Sequence, residues 1–199
     1  MNTLKAEKRS MDVKAKKLRR EGYVTGNLFG KEIEGSIPLK LQRKDVEQLI
    51  KTDGKGSQIM LNVEGKDYDV LIKEVDYNSM QRRVDEMDFQ ALISTEKVHS
   101  TAAIVIVNHD KLQEGALQEN ISEIAYKALP AALVDKVKVD VGELKVGDTI
   151  HVKDLDIAKN PEIDLMTDPE AVVVTVDAIR NYVPEDEATE GTEEAAKEE

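Results

Sequence analysis

The chain has 199 residues, of which 40% are hydrophobic, and its formal net charge is -12. This length suffices to bury a sizeable core and predicts one or two domains. The chain contains no cysteine, which excludes a disulfide framework, a thiol nucleophile and a thiolate metal site. No apolar signal segment opens the sequence and no apolar run reaches bilayer length, so we expect cytoplasmic residence and no membrane partner.

The first element in chain order is a cationic segment, residues 5–20, in which eight lysines and arginines stand against two acidic residues. Residues 3–7 alternate weakly as a strand does, and residues 13–20 can form two helical turns that end at Gly22. A phosphate backbone is the commonest partner for so many cations, because each contact releases condensed counterions. The segment therefore indicates nucleic-acid binding, although a solvated charged face or a flexible basic tail gives the same pattern.

Short strand patterns fill the rest of the first part of the chain, with one helix between them. The helix is predicted over residues 45–51, where three apolar residues share one face, and it ends at Asp53 and Gly54. Glu64 and Gly65 suit a tight hairpin. Several strands with sparse helices predict a small closed or half-closed antiparallel sheet. The predicted strands are residues 24–29, 36–41, 58–63, 68–75 and 84–92.

The second part of the chain has strand patterns of the same class. Residues 102–107 and 172–176 are apolar, β-branched runs, and residues 137–141 alternate between valines and charged residues. Residues 144–148 predict a turn into a strand over 149–152. Residues 117–129 keep helical spacing but also alternate as a strand would, so both readings stay open at this point. We predict a β-rich fold for this part.

Charge divides the chain into three parts. Residues 1–91 hold 18 Lys and Arg against 16 Asp and Glu, residues 92–183 hold 9 against 16, and residues 184–199 hold 1 against 8. We expect a β-barrel domain over 1–91, a β-rich domain over 92–183 and a disordered acidic tail over 184–199. The predicted fold class is mainly β with a few short helices, within the α+β class.

The sequence does not indicate a catalytic or metal site. The three histidines lack paired metal-ligand spacing, so we expect structural or surface roles for them and no metal or other cofactor. Asp85, Glu86 and Asp88 alternate between strand faces and show no convergence in a cleft. Because no serine or threonine lies in a nucleophile motif, we expect neither enzymatic activity nor a small-molecule substrate.

Several collinear sequence blocks resemble a known family. No single block is specific, but their order and spacing resemble the bacterial large-subunit ribosomal protein family numbered twenty-five. The resemblance is to its long form with a second domain, the general stress protein of the Ctc type, and it covers nearly the whole chain except the acidic tail. The blocks are TLKAEKR at residues 3–9, KKLRREGYV at 16–24, FGK at 29–31, LIKEV at 71–75, MDFQAL at 87–92, LPAAL at 129–133 and VKVDVGELKVGDTIHVKDLDI at 137–157.

The resemblance implies a function in the ribosome. It implies a first domain that folds as a β-barrel with a few helices and binds 5S ribosomal RNA at an internal loop, followed by a β-rich second domain in which residues 117–129 are strand. The implied protein is a structural constituent of the large ribosomal subunit, with neighbouring ribosomal proteins as further partners. Docking on RNA, not chemistry, is the implied mechanism.

The resemblance also implies residue roles. Arg9, Lys14, Arg19 and Arg20 would meet phosphates, Gly30 would allow a close backbone approach, and Asp88 would accept hydrogen bonds from base edges or position the surface. Lys16 and Lys17 join them as cations of the same segment. The RNA-binding candidates are therefore Arg9, Lys14, Lys16, Lys17, Arg19, Arg20, Gly30 and Asp88.

The chain departs from the family pattern at several positions. The milder departures are Thr25 for a proline, Asn27 for an apolar residue and Phe29 for a tyrosine. Asp76 stands where the family has glutamine, and Glu86 where it has histidine. A carboxylate near phosphate is repelled and weakens binding by roughly 1 kcal/mol if partly desolvated, although the nearby Arg82 and Arg83 would offset this. The alternative function is a stress-associated interaction protein of the same fold with weak or lost RNA binding.

Overall fold

Residues 3–91 form a unit of six strands and two helices, which we call the barrel. The computed structural model describes residues 2–111 and 115–178. The strands agree with the predicted ones to within three residues at each end, and the predicted helix and its end at Asp53 are confirmed. The elements are β1 Thr3–Lys8, α1 Ala15–Arg20, β2 Tyr23–Phe29, β3 Ser36–Gln42, α2 Arg43–Thr52, β4 Gln58–Val63, β5 Lys66–Asn78 and β6 Arg83–Ala91.

The six strands close in the order β1-β3-β2-β6-β5-β4. The expected closure is confirmed, but the expectation of an antiparallel sheet is wrong for two of the pairs. Strand β1 runs parallel to β4, and β2 runs parallel to β6. Parallel neighbours need crossover connections, and hydrophobic alternation within a strand carries no information about the direction of its neighbour. The sequence therefore predicted the strands and not this part of their pairing.

The barrel core follows from alternation along the strands. Leu4 and Ala6 of β1 point inward, as do Leu39 and Leu41 of β3. Helix α2 adds Val46 and Leu49, which are buried against the same core. The predicted hairpin between β4 and β5 is confirmed, because Glu64 and Gly65 both have positive φ angles of 51° and 92°, as a two-residue turn of this kind requires.

Residues 98–177 form a second β-rich unit, which we call the second domain, with a core of its own. Its strands are β7 Val98–Val107, β8 Ala116–Glu119, β9 Glu123–Ala128, β10 Lys136–Asp140, β11 Thr149–His151, β12 Asp164–Leu165 and β13 Val172–Asp177. One sheet has the order β10-β7-β9-β12 and the other β11-β13-β8. Residues 117–129 contribute the strands β8 and β9, so the predicted strand is confirmed and the predicted helix is wrong. Ile124, Tyr126 and Ala128 are fully buried on one face of β9.

The barrel and the second domain meet at the loop between α2 and β4. Gly56 in this loop has a φ of +88°, and a Cβ added to it would lie 1.9 Å from the carbonyl oxygen of Thr101 in β7. The Ser100 hydroxyl donates to the Gly56 carbonyl over 3.3 Å. Lys55 Nζ lies 2.8 Å from Glu123 Oε2 across the same seam. Backbone and side chains therefore join the two units directly.

The acidic tail predicted over residues 184–199 lies outside the described residues. Within the part of the chain that is described, no helix has the length and apolar character needed to span a membrane.

Candidate nucleic-acid interface

Helix α1 presents a cationic face away from the barrel. Leu18 is buried against the barrel, whereas Lys16, Lys17 and Arg20 are exposed. Residues three and four apart lie on the same side of a helix, so these three cations form one cluster. Exposed Lys14 directly precedes the helix. The sequence predicted this helix, and the structure turns Lys16, Lys17 and Arg20 to solvent.

Most of these exposed cations form no ion pair within the described part of the chain. Among residues 2–111 and 115–178, no ion pair is formed by Lys14, Lys16 or Arg20. Lys17 reaches Glu21 Oε1 at 3.9 Å, with both side chains well exposed, a type of contact worth a few tenths of a kcal/mol. These charges are therefore available to a polyanion at little energetic cost.

Arg9 is only partly exposed and follows the end of β1. Its Nη2 donates to the Val13 carbonyl over 3.0 Å, which joins the two ends of the loop between β1 and α1. The backbone N–H of Arg9 donates to the carbonyl of Pro38 in β3 over 2.9 Å. Its Nε is buried without a hydrogen-bond partner among the described residues. Arg9 thus shapes the approach to α1 in addition to contributing charge.

Arg19 differs from its neighbour Arg20 because its side chain turns inward and is only 24% exposed. The guanidinium Nη2 lies 3.1 Å from Glu86 Oε2 and donates to Thr25 Oγ1 over 3.2 Å. The Nε donates to the carbonyl of Asp85 over 3.0 Å. Arg19 is thus held by three acceptors of the barrel.

Two further arginines meet the carboxyl end of α1. Nη2 of Arg43, the first residue of α2, donates to the carbonyl oxygen of Arg19, and Arg83 Nη1 donates to the same oxygen over 3.4 Å. Cations at a helix C-terminus satisfy its unpaired carbonyls and interact favourably with its dipole. Sequence reasoning missed Arg43, because no local pattern connects it with a helix more than twenty residues away.

Asp85, which is largely buried in β6, forms an ion pair with Arg83. Its Oδ1 lies 2.7 Å from Arg83 Nε, and its Oδ2 accepts a hydrogen bond from Asn78 over 3.2 Å. Desolvation by burial raises the pKa of Asp85, but the hydrogen bonds from Asn78 and Arg83 outweigh it, so the pKa lies below its ordinary value. The carboxylate is therefore ionised at neutral pH and keeps Arg83 in place.

Asp88 lies on the outer face of β6, next to β2. Its Oδ1 accepts the backbone N–H of Asn27 over 2.9 Å and the Asn27 side-chain amide over 3.2 Å. These bonds join the two parallel strands. Of the two roles that the resemblance implied for Asp88, these contacts favour positioning of the surface.

Gly30 directly follows Phe29, the last residue of β2, where this strand lies beside β6. A Cβ at this position would lie 2.9 Å from the Cβ of Ala91 and 3.3 Å from its carbonyl oxygen. The close approach that glycine permits here is thus to the barrel's own last strand. This contact gives Gly30 a structural reason that does not involve RNA.

The two acids that depart from the family pattern are cross-strand neighbours. Asp76 of β5 pairs in register with Glu86 of β6. Glu86 is compensated by Arg19, whereas exposed Asp76 has no ion pair within the described part of the chain. Of the two carboxylates, we therefore expect that of Asp76 to repel an RNA phosphate, whereas the charge of Glu86 is compensated by Arg19.

Within residues 2–111 and 115–178, no group of three or more His, Cys, Asp or Glu side chains is placed to hold a metal ion. Of the histidines, His151 donates its Nδ1–H to the Glu170 carbonyl over 2.9 Å, which is a structural contact.

Comparison with known proteins agrees with the block pattern of the sequence. Residues 4–89 match the model of the Ribosomal L25p family, and residues 97–180 match the model of the C-terminal domain of ribosomal protein TL5. The chain is 31% identical to the large ribosomal subunit protein bL25 of Carboxydothermus hydrogenoformans over 193 residues, covering 92% of this chain and 95% of that protein. It is 27% identical to bL25 of Caldanaerobacter subterraneus subsp. tengcongensis, covering 96% and 94% of the two chains.

The fold and its surface define a two-part, mainly β protein that presents a cationic helix on a closed barrel. The chain belongs to the bL25 family of bacterial large-subunit ribosomal proteins, in the long form that carries a second domain. Members of this class are structural constituents of cytoplasmic ribosomes and not enzymes.

Proposed function

We propose that this chain binds 5S ribosomal RNA in the large ribosomal subunit, with the exposed face of α1 against the phosphate backbone. The observation that carries the proposal is the cluster of Lys16, Lys17 and Arg20, which projects from a helix anchored on the barrel by Leu18. Membership in a family of large-subunit ribosomal proteins supports RNA as the polyanion.

The geometry supports docking of a preformed surface. The carboxyl end of α1 is held by Arg43 and Arg83 at one carbonyl oxygen, so little ordering entropy is spent when the helix meets RNA. Phosphate contacts fix position and orientation but carry no sequence information. Selectivity for 5S RNA therefore comes from the shape of its folded backbone and from groups on the outer faces of β2 and β6.

The second domain is not proposed as a phosphate-binding surface. Residues 92–183 hold 16 acidic residues against 9 basic ones, and a surface of this sign repels a polyanion over the Debye length. We propose that residues 1–91 act as the RNA-binding domain and that residues 92–183 face solvent or neighbouring ribosomal proteins.

The test is the salt dependence of 5S RNA binding by the whole chain. The triple variant Lys16→Gln, Lys17→Gln, Arg20→Gln should bind less tightly and show a log-log salt slope that is smaller by about 2 to 3, because about 0.7 to 0.9 is lost per phosphate contact. The matched control is Lys145→Gln, Lys153→Gln, Lys159→Gln in the second domain, which removes the same charge and should leave the slope unchanged.

The result that overturns this proposal is equal weakening by both triple variants, which would show a response to net charge alone. Failure of the unaltered chain to bind 5S RNA at low salt would favour the alternative of a stress-associated interaction protein of the same fold. The observation that motivates that alternative is the exposed carboxylate of Asp76, which forms no ion pair with any residue that the structure describes.

A further inference from the structure

A row of three side chains crosses strands β2, β6 and β5 beneath the end of α1. Thr25 is in register with Glu86 across the parallel pair, and Glu86 is in register with Asp76 across the antiparallel pair. Neighbouring Val24 and Met87 belong to the barrel core, so alternation places Thr25 and Glu86 on the outer face. Arg19 of α1 covers this end of the row.

Two nitrogens of the planar Arg19 guanidinium form hydrogen bonds at this row. One nitrogen meets both the Thr25 hydroxyl and the Glu86 carboxylate, and a second meets the Asp85 carbonyl. Thr25 itself is 1% exposed, and its hydroxyl donates onward to the Asp85 carbonyl over 3.3 Å. Such a fixed, partly desolvated arrangement is unlike a surface ion pair, whose two side chains are mobile and screened.

Releasing Arg19 to an RNA phosphate would remove a hydrogen bond from each of these partners. Glu86 would lose its ion pair while its cross-strand neighbour is another acid, and like charges directly opposite each other are destabilising. The buried Thr25 hydroxyl would lose a partner as well. Arg20, one residue further on, is exposed and forms no ion pair among the described residues.

We propose that Glu86 and Thr25 are positioning residues for RNA binding, which hold Arg19 as the anchor that orients α1, while the phosphate contacts of this helix come from its exposed cations. The inference rests on the proposed function for its RNA readout. It reassigns Arg19 from a phosphate ligand to a positioning residue, and it makes Glu86 favourable for binding although its charge has the sign of phosphate.

The first experiment compares two adjacent arginines by the same substitution. Arg20→Gln should lower the log-log salt slope of 5S RNA binding by about 0.7 to 0.9. Arg19→Gln should weaken binding about threefold to tenfold with an unchanged slope, because the number of contacted phosphates stays the same. A smaller slope in Arg19→Gln would show that Arg19 contacts phosphate and would overturn the proposal.

The second experiment compares two adjacent carboxylates. Glu86→Gln should weaken RNA binding. Adding it to Arg19→Gln should cause no further loss, since Arg19→Gln already removes the contact with Glu86. Asp76→Asn, which removes the same charge across the strand pair, should strengthen binding. Tighter binding by Glu86→Gln would show that Glu86 competes with phosphate for Arg19, and would overturn the proposal.

A readout without RNA separates this inference from the proposed function. In the unbound chain, amide hydrogen exchange over Lys17 to Arg20 should be several-fold faster in Glu86→Gln than in the unaltered protein and unchanged in Asp76→Asn. If exchange responds in this way but the chain binds no 5S RNA, the anchor stands and the proposed function fails. If exchange in Glu86→Gln is unchanged, the anchor is disproved whatever the RNA result.

Discussion

The barrel and the second domain are both mainly β and both enclose an apolar core, yet they arrange their cations differently. In the barrel, Arg19, Arg43 and Arg83 come from three separate elements to one helix end. In the second domain, Lys153 pairs with Glu170 and Lys159 with Asp156, each as a single exposed cation with one exposed carboxylate. Two units of a similar fold class can therefore carry different surfaces, and function comes from side chains that particular long-range contacts bring together.

We expect the greatest loss of stability from a side chain introduced at Gly26 in the barrel. A Cβ at this position would lie 2.0 Å from the carbonyl oxygen of Met87, so Gly26→Ala must push β2 away from β6. We expect the free energy of unfolding of the barrel to fall by about 3 kcal/mol. Urea unfolding followed by NMR, with separate barrel and second-domain resonances, measures this effect.

The matched control for Gly26 is Gly54→Ala. No heavy atom lies within 4 Å of a Cβ at Gly54 and its φ is not positive, so the expected change is within about 0.5 kcal/mol. Equal shifts of the barrel and the second domain in Gly26→Ala would contradict the view that the two cores respond separately.

The next effect is confined to the second domain and concerns Tyr126. Its fully buried hydroxyl donates to the Val134 carbonyl over 3.0 Å and accepts the Val134 N–H over 2.8 Å. Tyr126→Phe leaves both backbone groups unpaired and should destabilise the second domain by about 2 kcal/mol. Thermal unfolding monitored on second-domain resonances tests this, with Tyr77→Phe at a 55% exposed position as the neutral control. An unchanged midpoint in Tyr126→Phe would show that water replaces the lost partner.

The smallest effect concerns pH and the arginine cluster of the barrel. Because the pKa of Asp85 is lowered in the folded state, the unfolded chain takes up this proton at a higher pH than the folded chain does. The stabilisation by Asp85 is therefore present above the ordinary aspartate pKa of about 4 and is lost as the pH falls through the folded value. Asp85→Asn should cost about 1 to 2 kcal/mol at pH 7.

Chemical denaturation between pH 7 and pH 3 measures this difference. The gap in unfolding free energy between the unaltered protein and Asp85→Asn should shrink as the pH falls. A gap that is constant over this range would mean that the Asp85 carboxylate contributes through shape and not through charge.

The sequence predicted the elements of the barrel because its signals are local. The apolar face of α2 and the turn at Glu64 and Gly65 depend on neighbours within a few residues, and both are confirmed. Residues 117–129 were ambiguous because the residues of two short strands also happened to keep helical spacing. Burial of Ile124, Tyr126 and Ala128 on one strand face, which needs the other sheet to be in place, resolves the ambiguity.

The candidate interface was predictable in its charge and not in its geometry. A helix with Leu18 inward and Lys16, Lys17 and Arg20 outward follows from spacing alone. The different environments of Arg19 and Arg20 do not, because they depend on Thr25 and Glu86 being brought together by a parallel strand pair. The RNA roles of the candidate residues stay predictions.

Gly56 has an evolutionary consequence. Its positive φ alone would admit asparagine or aspartate, but the carbonyl oxygen of Thr101 fills the space that any side chain would need. This steric restriction by Thr101 exists only while the second domain is attached to the barrel. Loss of that domain would relax selection at this one codon, so the residue found there should distinguish lineages that kept both units from those that shed one.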